Sequence, residues 1–306
     1  MKYYMIRLSF PYGVHFGETN LDDCNMTFHA DTLFSALFIE AVKSGKANAD
    51  RLLSAAQANQ FVISDGFPYI GNTYYLPKPM IYIEKNEDLG NSVIKKTAKK
   101  LSYIPMQKMD EYIAGALNIK KEKEILDNLG KSQVKASVAI KGLEQTEPYY
   151  VGVYRFESNN GLYFFVGLVE EMKDLFFDLL DMLSFSGIGG KRSAGLGRFE
   201  VEKMIPIDSV HFNPANGKKG YLLLSTSFPT EDELEKALEG AEYLVQKRSG
   251  FVQSPSFALE QRKKCEQFFF KAGSRFMNPF VGNIYEVGVG GKHPIYRYGK
   301  AMFWTL

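Results

Sequence analysis

Between Ser186 and Phe199 the chain reads SGIGGKRSAGLGRF, with five glycines and three cations between a helix-like apolar run and a strand-like run. Glycine permits positive φ and lets another backbone come close, while Lys191, Arg192 and Arg198 offer charge to an anion. The flanking order restricts what such a loop can be. A nucleotide P-loop needs Gly, four residues, Gly-Lys and then Ser or Thr, but Phe185 stands five positions before Gly190 and Arg192 follows Lys191. A dinucleotide fingerprint starting at Gly187 meets Arg192 where its third glycine belongs. Both motifs follow a strand and open a helix, the reverse of the order here.

Tyr4, Ile6, Leu8 and Phe10 recur at period two, so residues 2–10 read as a strand, followed by a loop from Pro11 to Ala30. Asp31 is a plausible N-cap for a helix from Thr32 to about Lys43, ended by Gly45. Phe61 to Ser64 and Tyr74 to Leu76 are strand-like. Residues 85–147 change character, with eleven lysines between Lys95 and Lys141, no arginine, and a helix-compatible patch from Asp110 to Leu129, and read as an insertion. Tyr149 to Phe156 and Gly161 to Leu168 read as a hairpin, Met172 to Leu183 as a second helix, and Arg198 to Met204 as a closing strand.

This order predicts an α+β protein with a ferredoxin-like (RRM-like) N-terminal domain over 1–206, its loop lying on the sheet face. Pro206 and the NPANGKKG stretch mark a linker at 207–219, and a smaller ferredoxin-like domain is expected over 220–306. There Thr230 and Glu233 form a capping box, and strand-like runs recur at 221–228, 243–251, 268–271, 284–289 and 301–306.

At 306 residues and 45% apolar, the chain has enough material for packed cores, and a net charge of +2 is too mild to identify a nucleic-acid binder. Cys24 and Cys265 stand alone, which argues against a disulfide framework or structural zinc. MKYYMIRLSF lacks a signal-peptide core, and no run of eighteen apolar residues follows, so a cytoplasmic protein without a membrane span is expected.

Five glycines exceed what a bare helix-to-strand connection needs, which favours an anion contact through clustered amides at Gly187, Gly189, Gly190, Gly195 and Gly197. Lys191 and Arg192 are phosphate candidates, Ser193 can donate a neutral hydrogen bond, and Arg198 suits either a phosphate or a structural ion pair. His29, just before a helix, can meet a base or phosphate or satisfy a turn; His15, His211 and His293 are scattered and read as structural or surface residues. Asp22 and Asp23 are explained by loop solvation and Asp31 by capping, so no catalytic set is assigned. In the insertion, Val134, Ala136, Val138 and Ile140 alternate with Lys135, Ser137, Ala139 and Lys141, a strand with one cationic edge. GLYFFVGLV does not match the RNP1 order, and Leu162, Phe164, Val166 and Leu168 read as core.

With the loop placed after a second helix, GIGGKRSAGLGRFE (Gly187 to Glu200) resembles the signature of the RAMP superfamily of CRISPR systems. HADTLFSAL at 29–37 and FPYIGNTYYLPKP at 67–79 are similar to the fourth-subunit family of type III-A Csm effector complexes, as are the turns KRSGF at 247–251 and AGSRF at 272–276. The resemblance covers essentially the whole chain. It implies a noncatalytic subunit without cofactor or metal that grips the 5′ repeat tag of CRISPR RNA. It also implies that the subunit caps the filament of backbone RAMP subunits and docks the large Cas subunit, and that the lysine-rich region is a thumb lying across the guide. RNA contacts are then implied at the loop, at His29, Lys78, Lys135 and Lys141, at Lys247, Arg248, Ser249 and Phe251, and at Ser274 and Arg275. The competing expectation is a metal-independent endoribonuclease that processes precursor CRISPR RNA, with His29 as acid or base. A third is a docking scaffold whose loop touches no RNA.

Overall fold

A computed structural model describes residues 1–17, 20–83, 92–141, 145–212, 219–254 and 256–306. The chain runs β1 (Lys2–Ser9), α1 (Ala30–Ser44), α2 (Lys46–Gln57), β2 (Phe61–Ile63), β3 (Phe67–Ile70) and β4 (Thr73–Pro77). Helix α3 (Ser92–Lys100), β5 (Tyr103–Pro105), α4 (Met109–Ile113) and α5 (Ile119–Leu126) lead to a long ribbon, β6 (Gly130–Lys141) against β7 (Gln145–Phe156). After β8 (Asn160–Leu168) come α6 (Lys173–Ser186) and β9 (Glu200–Ile207). The remainder holds β10 (Tyr221–Leu223), α7 (Glu231–Leu238), β11 (Val245–Arg248), β12 (Gln267–Phe270), β13 (Arg275–Phe276), β14 (Ile284–Glu286), β15 (Tyr296–Tyr298) and β16 (Phe303–Thr305).

The main sheet is antiparallel in the order β5-β4-β3-β8-β1-β9, with β2 also against β8. Alternation along β1 sends Tyr4, Ile6 and Leu8 into a core beneath α1, α2 and α6, and Met5 into a second core on the opposite face. β8 is buried along its whole length, so Leu162, Phe164, Val166 and Leu168 are core as expected, and Tyr163 and Phe165 fill the other face. That second face is covered by Leu101, Ile104, Met109 and Tyr112 of the lysine-rich region and by Leu222, Leu224, Met302 and Trp304 near the C-terminus. Each such side chain contributes about 1.5–3 kcal/mol by leaving water. β8 and most of β1 are therefore covered on both faces, whereas β9, at the sheet's margin where the loop enters, is exposed along most of its length.

Several local readings are corrected. Helix α1 begins at Ala30 with His29 as its N-cap residue, and Asp31 sits inside the first turn. Residues 101–129 of the expected insertion belong to the packed fold, since β5 pairs with β4 and the region supplies much of the second core. The helix-compatible patch at 110–129 holds two short helices, α4 and α5. β7 does not pair with β8 across the Asn159 turn. Its partners are β6 and the loop after β1, where Val14 and Tyr154 exchange two hydrogen bonds of 2.9 Å. Pro206 belongs to β9 opposite Tyr4, on an edge strand where a missing N–H is tolerated. The linker stretch 213–218 lies outside the described residues.

After residue 219 the expected single sheet is replaced, among the described residues, by three separate ladders: β13-β10-β16, β11-β12 and β14-β15. The capping box on α7 is present as predicted. Leu222, Trp304, Ile284 and Tyr298 pack into the two cores of the main sheet, so this part closes over the first instead of standing apart. Among the described residues no helix is long and apolar enough to cross a membrane.

Candidate nucleic-acid interface

The glycine-rich loop leaves α6 through Gly187 and returns at Gly197, where the Ile188 N–H donates to the Gly197 carbonyl at 2.9 Å. A Cβ on Gly197 would collide with the Ile188 carbonyl, so this crossing accepts only glycine. Ile188, Leu196 and Phe199 are buried beneath it and pin both ends of the loop. Gly195, by contrast, faces open space with φ of 85°. Lys191 holds a left-handed conformation at φ 55° without being glycine, which turns the tip outward.

The amides answer the clustered-donor expectation directly. The N–H groups of Gly187, Gly190, Gly195 and Gly197 donate to Leu183, His15, Arg192 and Gly13 carbonyls respectively. Four of the five glycine amides are thus occupied, and the positive charge the loop carries is that of its side chains. Among the described residues no carboxylate lies within 4 Å of Lys191, Arg192 or Arg198. Arg198 precedes β9 rather than belonging to it, and is exposed. Ser193 is exposed at the tip.

The loop separates two grooves. The first, about 530 Å³, is walled by Gly189, Gly190 and Arg192 on one side, by His29 and Thr32 at the start of α1, and by Lys247 to Phe251 on the other. His29, the loop and the KRSGF turn, far apart in sequence, thus share one cleft. His29 Nδ1 lies 2.9 Å from Asp65 Oδ2 and 3.0 Å from Thr226 Oγ1. Asp65 also accepts from the Ala30 and Thr226 amides at 2.8 and 2.7 Å and from the Thr226 hydroxyl at 2.8 Å. A carboxylate with four donors fixes the imidazole, leaving Nε2 as its second polar atom. Sequence reasoning missed Asp65, because it follows a short strand and carries no motif.

Asp31 is buried and accepts from Arg248 Nε and Nη2 at 2.9 and 2.7 Å, with Arg297 Nε 4.0 Å away. Burial alone would raise its pKa, but the charge and hydrogen bonds of Arg248, with His29 and Arg297 adding to them, hold it at about 2. Arg248 therefore anchors the floor of the cleft instead of projecting into it. Lys247 is half-exposed and pairs with Glu266 at 2.7 Å, while Ser249 and Phe251 are exposed on the rim.

The second groove, about 630 Å³, lies between the loop and the β6–β7 ribbon, lined by Lys135, Ser137, Tyr149, Lys191, Gly195 and Arg198 among others. Lys191 Nζ stands 4.6 Å from the centre of the Tyr149 ring, and Leu196 packs on Val151 and Val153. The alternation read in β6 is real. Gln133, Lys135 and Ser137 face this groove across from Val153, Val151 and Tyr149, with Val134 at its edge, whereas Val138 and Tyr150 are exposed outside it. The side chain of Lys141 lies outside the described residues.

Three expected contacts are brought to neither groove. Lys78 donates to the Ala98 carbonyl at 2.7 Å, and burial lowers its pKa. Ser274 is buried, its hydroxyl donating to the Lys271 carbonyl at 2.7 Å. Arg275 forms an ion pair with Glu242 at 2.9 Å. PKP and AGSRF instead face one another, the Met80 N–H donating to the Gly273 carbonyl at 2.9 Å. Both motifs shape the seam between the two halves of the chain. Asp22 and Asp23 are exposed beside β7, and the described residues hold no group of three or more metal-ligating side chains.

The RAMP superfamily model matches residues 15–200, and the model of the CRISPR Csm4 C-terminal domain matches residues 216–306. A CRISPR system Cms protein Csm4 of Mycobacterium tuberculosis (strain CDC 1551 / Oshkosh) is 36% identical over 295 residues, covering 95% of this chain and 94% of the relative. The protein of that name from Streptococcus thermophilus is 32% identical over 315 residues, covering 100% and 99%. The chain belongs to the Csm4 family of type III-A Csm RAMP subunits. Its fold is similar to that of a chain in the crystal structure of a Csm3-Csm4 subcomplex of the type III-A CRISPR-Cas interference complex. There the TM-score is 0.68 at 18% identity, covering 100% of this chain and 99% of the other. It is also similar to a chain of the Csm1-Csm4 cassette in complex with cA4, with TM-score 0.63 at 20% identity, covering 100% and 98%.

Proposed function

We propose that this Csm4-family subunit holds the 5′ repeat tag of CRISPR RNA across the two grooves, without cutting it, and caps the Csm filament by docking the large Cas subunit. We read β9-β1-β8 with β2 and β3, under α1 and α6, as a ferredoxin-like core. On this reading β6–β7 is the thumb, and residues 207–219 divide the chain into two domains. The observation that carries the proposal is the convergence of Arg192, His29 and the Lys247–Phe251 turn on one cleft, with Lys191, Arg198 and Lys135 on the next. Among the described residues Lys191, Arg192, Arg198 and Lys135 have no carboxylate within 4 Å and suit a phosphate backbone, and the exposed Phe251 with the half-buried Tyr149 suit base stacking. Docking to a backbone subunit and to a large subunit is proposed from the family and from the Csm3-Csm4 and Csm1-Csm4 neighbours.

The test is reconstitution of the complex with Lys191→Ala plus Arg192→Ala at physiological salt. Loss of guide retention is expected; unchanged retention and assembly contradict the role given to those cations. The endoribonuclease reading has one supporting observation, His29 held by Asp65 at a cleft. Incubating the purified chain with repeat RNA decides it. No cleavage is expected, and cleavage that His29→Ala abolishes would replace the binding reading.

A further inference from the structure

The floor of the first groove holds more positive charge than its carboxylates neutralise. Arg248, Arg297 and Lys264 all line it, and Asp31 is the carboxylate set among them. Asp31 takes two hydrogen bonds from Arg248 and stands 4.0 Å from Arg297. Arg297 is buried, its Nη1 donating to the Arg248 and Cys265 carbonyls at 2.9 Å each. Lys264 is half-buried, and among the described residues no carboxylate lies within 4 Å of its ammonium. Asp65 and Glu266 are engaged elsewhere, Asp65 by four donors and Glu266 by Lys247. Burial lowers the Lys264 pKa; Asp31 opposes this, and Arg297 and Arg248 reinforce it. An anion entering the groove would relieve that repulsion.

We infer that Lys264, backed by the Asp31–Arg248–Arg297 cluster, forms a subsite for one phosphodiester group of the bound RNA. The inference rests on the RNA-binding reading of the groove and adds to it a residue, Lys264, that no motif marks. The two arginines are fixed by Asp31 and by carbonyls, so they supply field, while Lys264 supplies the mobile hydrogen-bond donor. Its backbone is held in turn, since the Lys264 N–H donates to the Gly250 carbonyl at 2.8 Å and Lys263 bridges Phe251. Phe251 and Lys264 line the same groove, and the Phe251 ring is exposed with the Lys263 ammonium 5.8 Å from its centre, so a base can stack there while a neighbouring phosphate meets the Lys264 ammonium. A point charge of this kind reads backbone and not sequence.

The test uses the full chain and a short labelled single-stranded RNA carrying the repeat-derived tag, with fluorescence anisotropy across a salt series. Lys264→Met keeps the aliphatic stem and removes the charge. It is expected to weaken binding about tenfold and to flatten the log–log salt slope by about 0.7, the loss of one phosphate contact on a single strand. Lys264→Arg is expected to restore most of the affinity, and thermal unfolding of each variant reports folding separately. RNAs neutralised at single positions by methylphosphonate complete a cycle. One position is expected to cost wild type affinity and to cost Lys264→Met nothing. Full additivity at every position, or an unchanged slope in Lys264→Met while Lys191→Ala plus Arg192→Ala weakens binding, overturns the subsite and leaves the broader reading standing. No loss in either variant overturns both.

Discussion

Asp31 and Arg248 lie 217 residues apart in sequence and meet through two hydrogen bonds of 2.7 and 2.9 Å at the floor of the first groove. This pair ties the first turn of α1 to β11, and so joins the two walls between which the proposed RNA strand passes. Removing one partner leaves a buried charge without its counterpart. Asp31→Ala is expected to cost about 3 kcal/mol in denaturant unfolding, near the lower end for a broken buried pair because Arg248 keeps partial solvent contact.

The same pair fixes an acid response. Asp31 in the folded chain titrates at about 2, below its unfolded value near 3.8, so its stabilisation is present above about pH 4 and is lost as pH falls toward 2. The difference in unfolding free energy between wild type and Asp31→Asn is expected to shrink by roughly 2 kcal/mol across that window. A difference that stays constant from pH 5 to pH 2 would mean that Asp31 is not held as the structure implies.

Asp65 is expected to matter more than its lack of motif suggests. Asp65→Ala strands the Ala30 and Thr226 amides and the Thr226 hydroxyl, and a loss of about 3 kcal/mol is expected from those buried donors. It also frees the His29 ring. Asp65→Asn, which keeps acceptor oxygen at one position, is expected to retain more stability while still weakening tag RNA binding, as measured by thermal unfolding beside anisotropy.

Glycines of the loop are not equivalent. Gly197→Ala must push against the Ile188 carbonyl at φ 79° and is expected to cost about 3 kcal/mol. Gly195→Ala faces open space, and only the strain of φ 85° applies, about 1 kcal/mol. Comparing the two midpoints in guanidinium chloride checks this ranking, and equal losses would contradict it.

How far the sequence carried is visible in these residues. The loop, its place between α6 and β9, the capping box on α7 and the β6 alternation were legible because each is a local pattern of a few residues. RNA contacts at Lys78, Ser274 and Arg275 are implied only by the resemblance of their motifs; with the PKP and AGSRF turns packed against each other, the three side chains take partners within the chain. Asp31 as a cap was the cheapest local explanation, and only the long-range arrival of Arg248 displaces it. Burial of β8 on both faces was equally hidden, since it depends on Ile104 and Trp304 joining one core from distant parts of the chain.

Residue-level RNA–protein crosslinking in the assembled complex tests the central claim most directly. Crosslinks are predicted within 187–198 and 247–251, with Lys135 joining them from the ribbon and none at Ser274. Crosslinks that never fall within 187–198 or 247–251 would contradict the assignment of the two grooves to RNA and leave the loop as a docking scaffold.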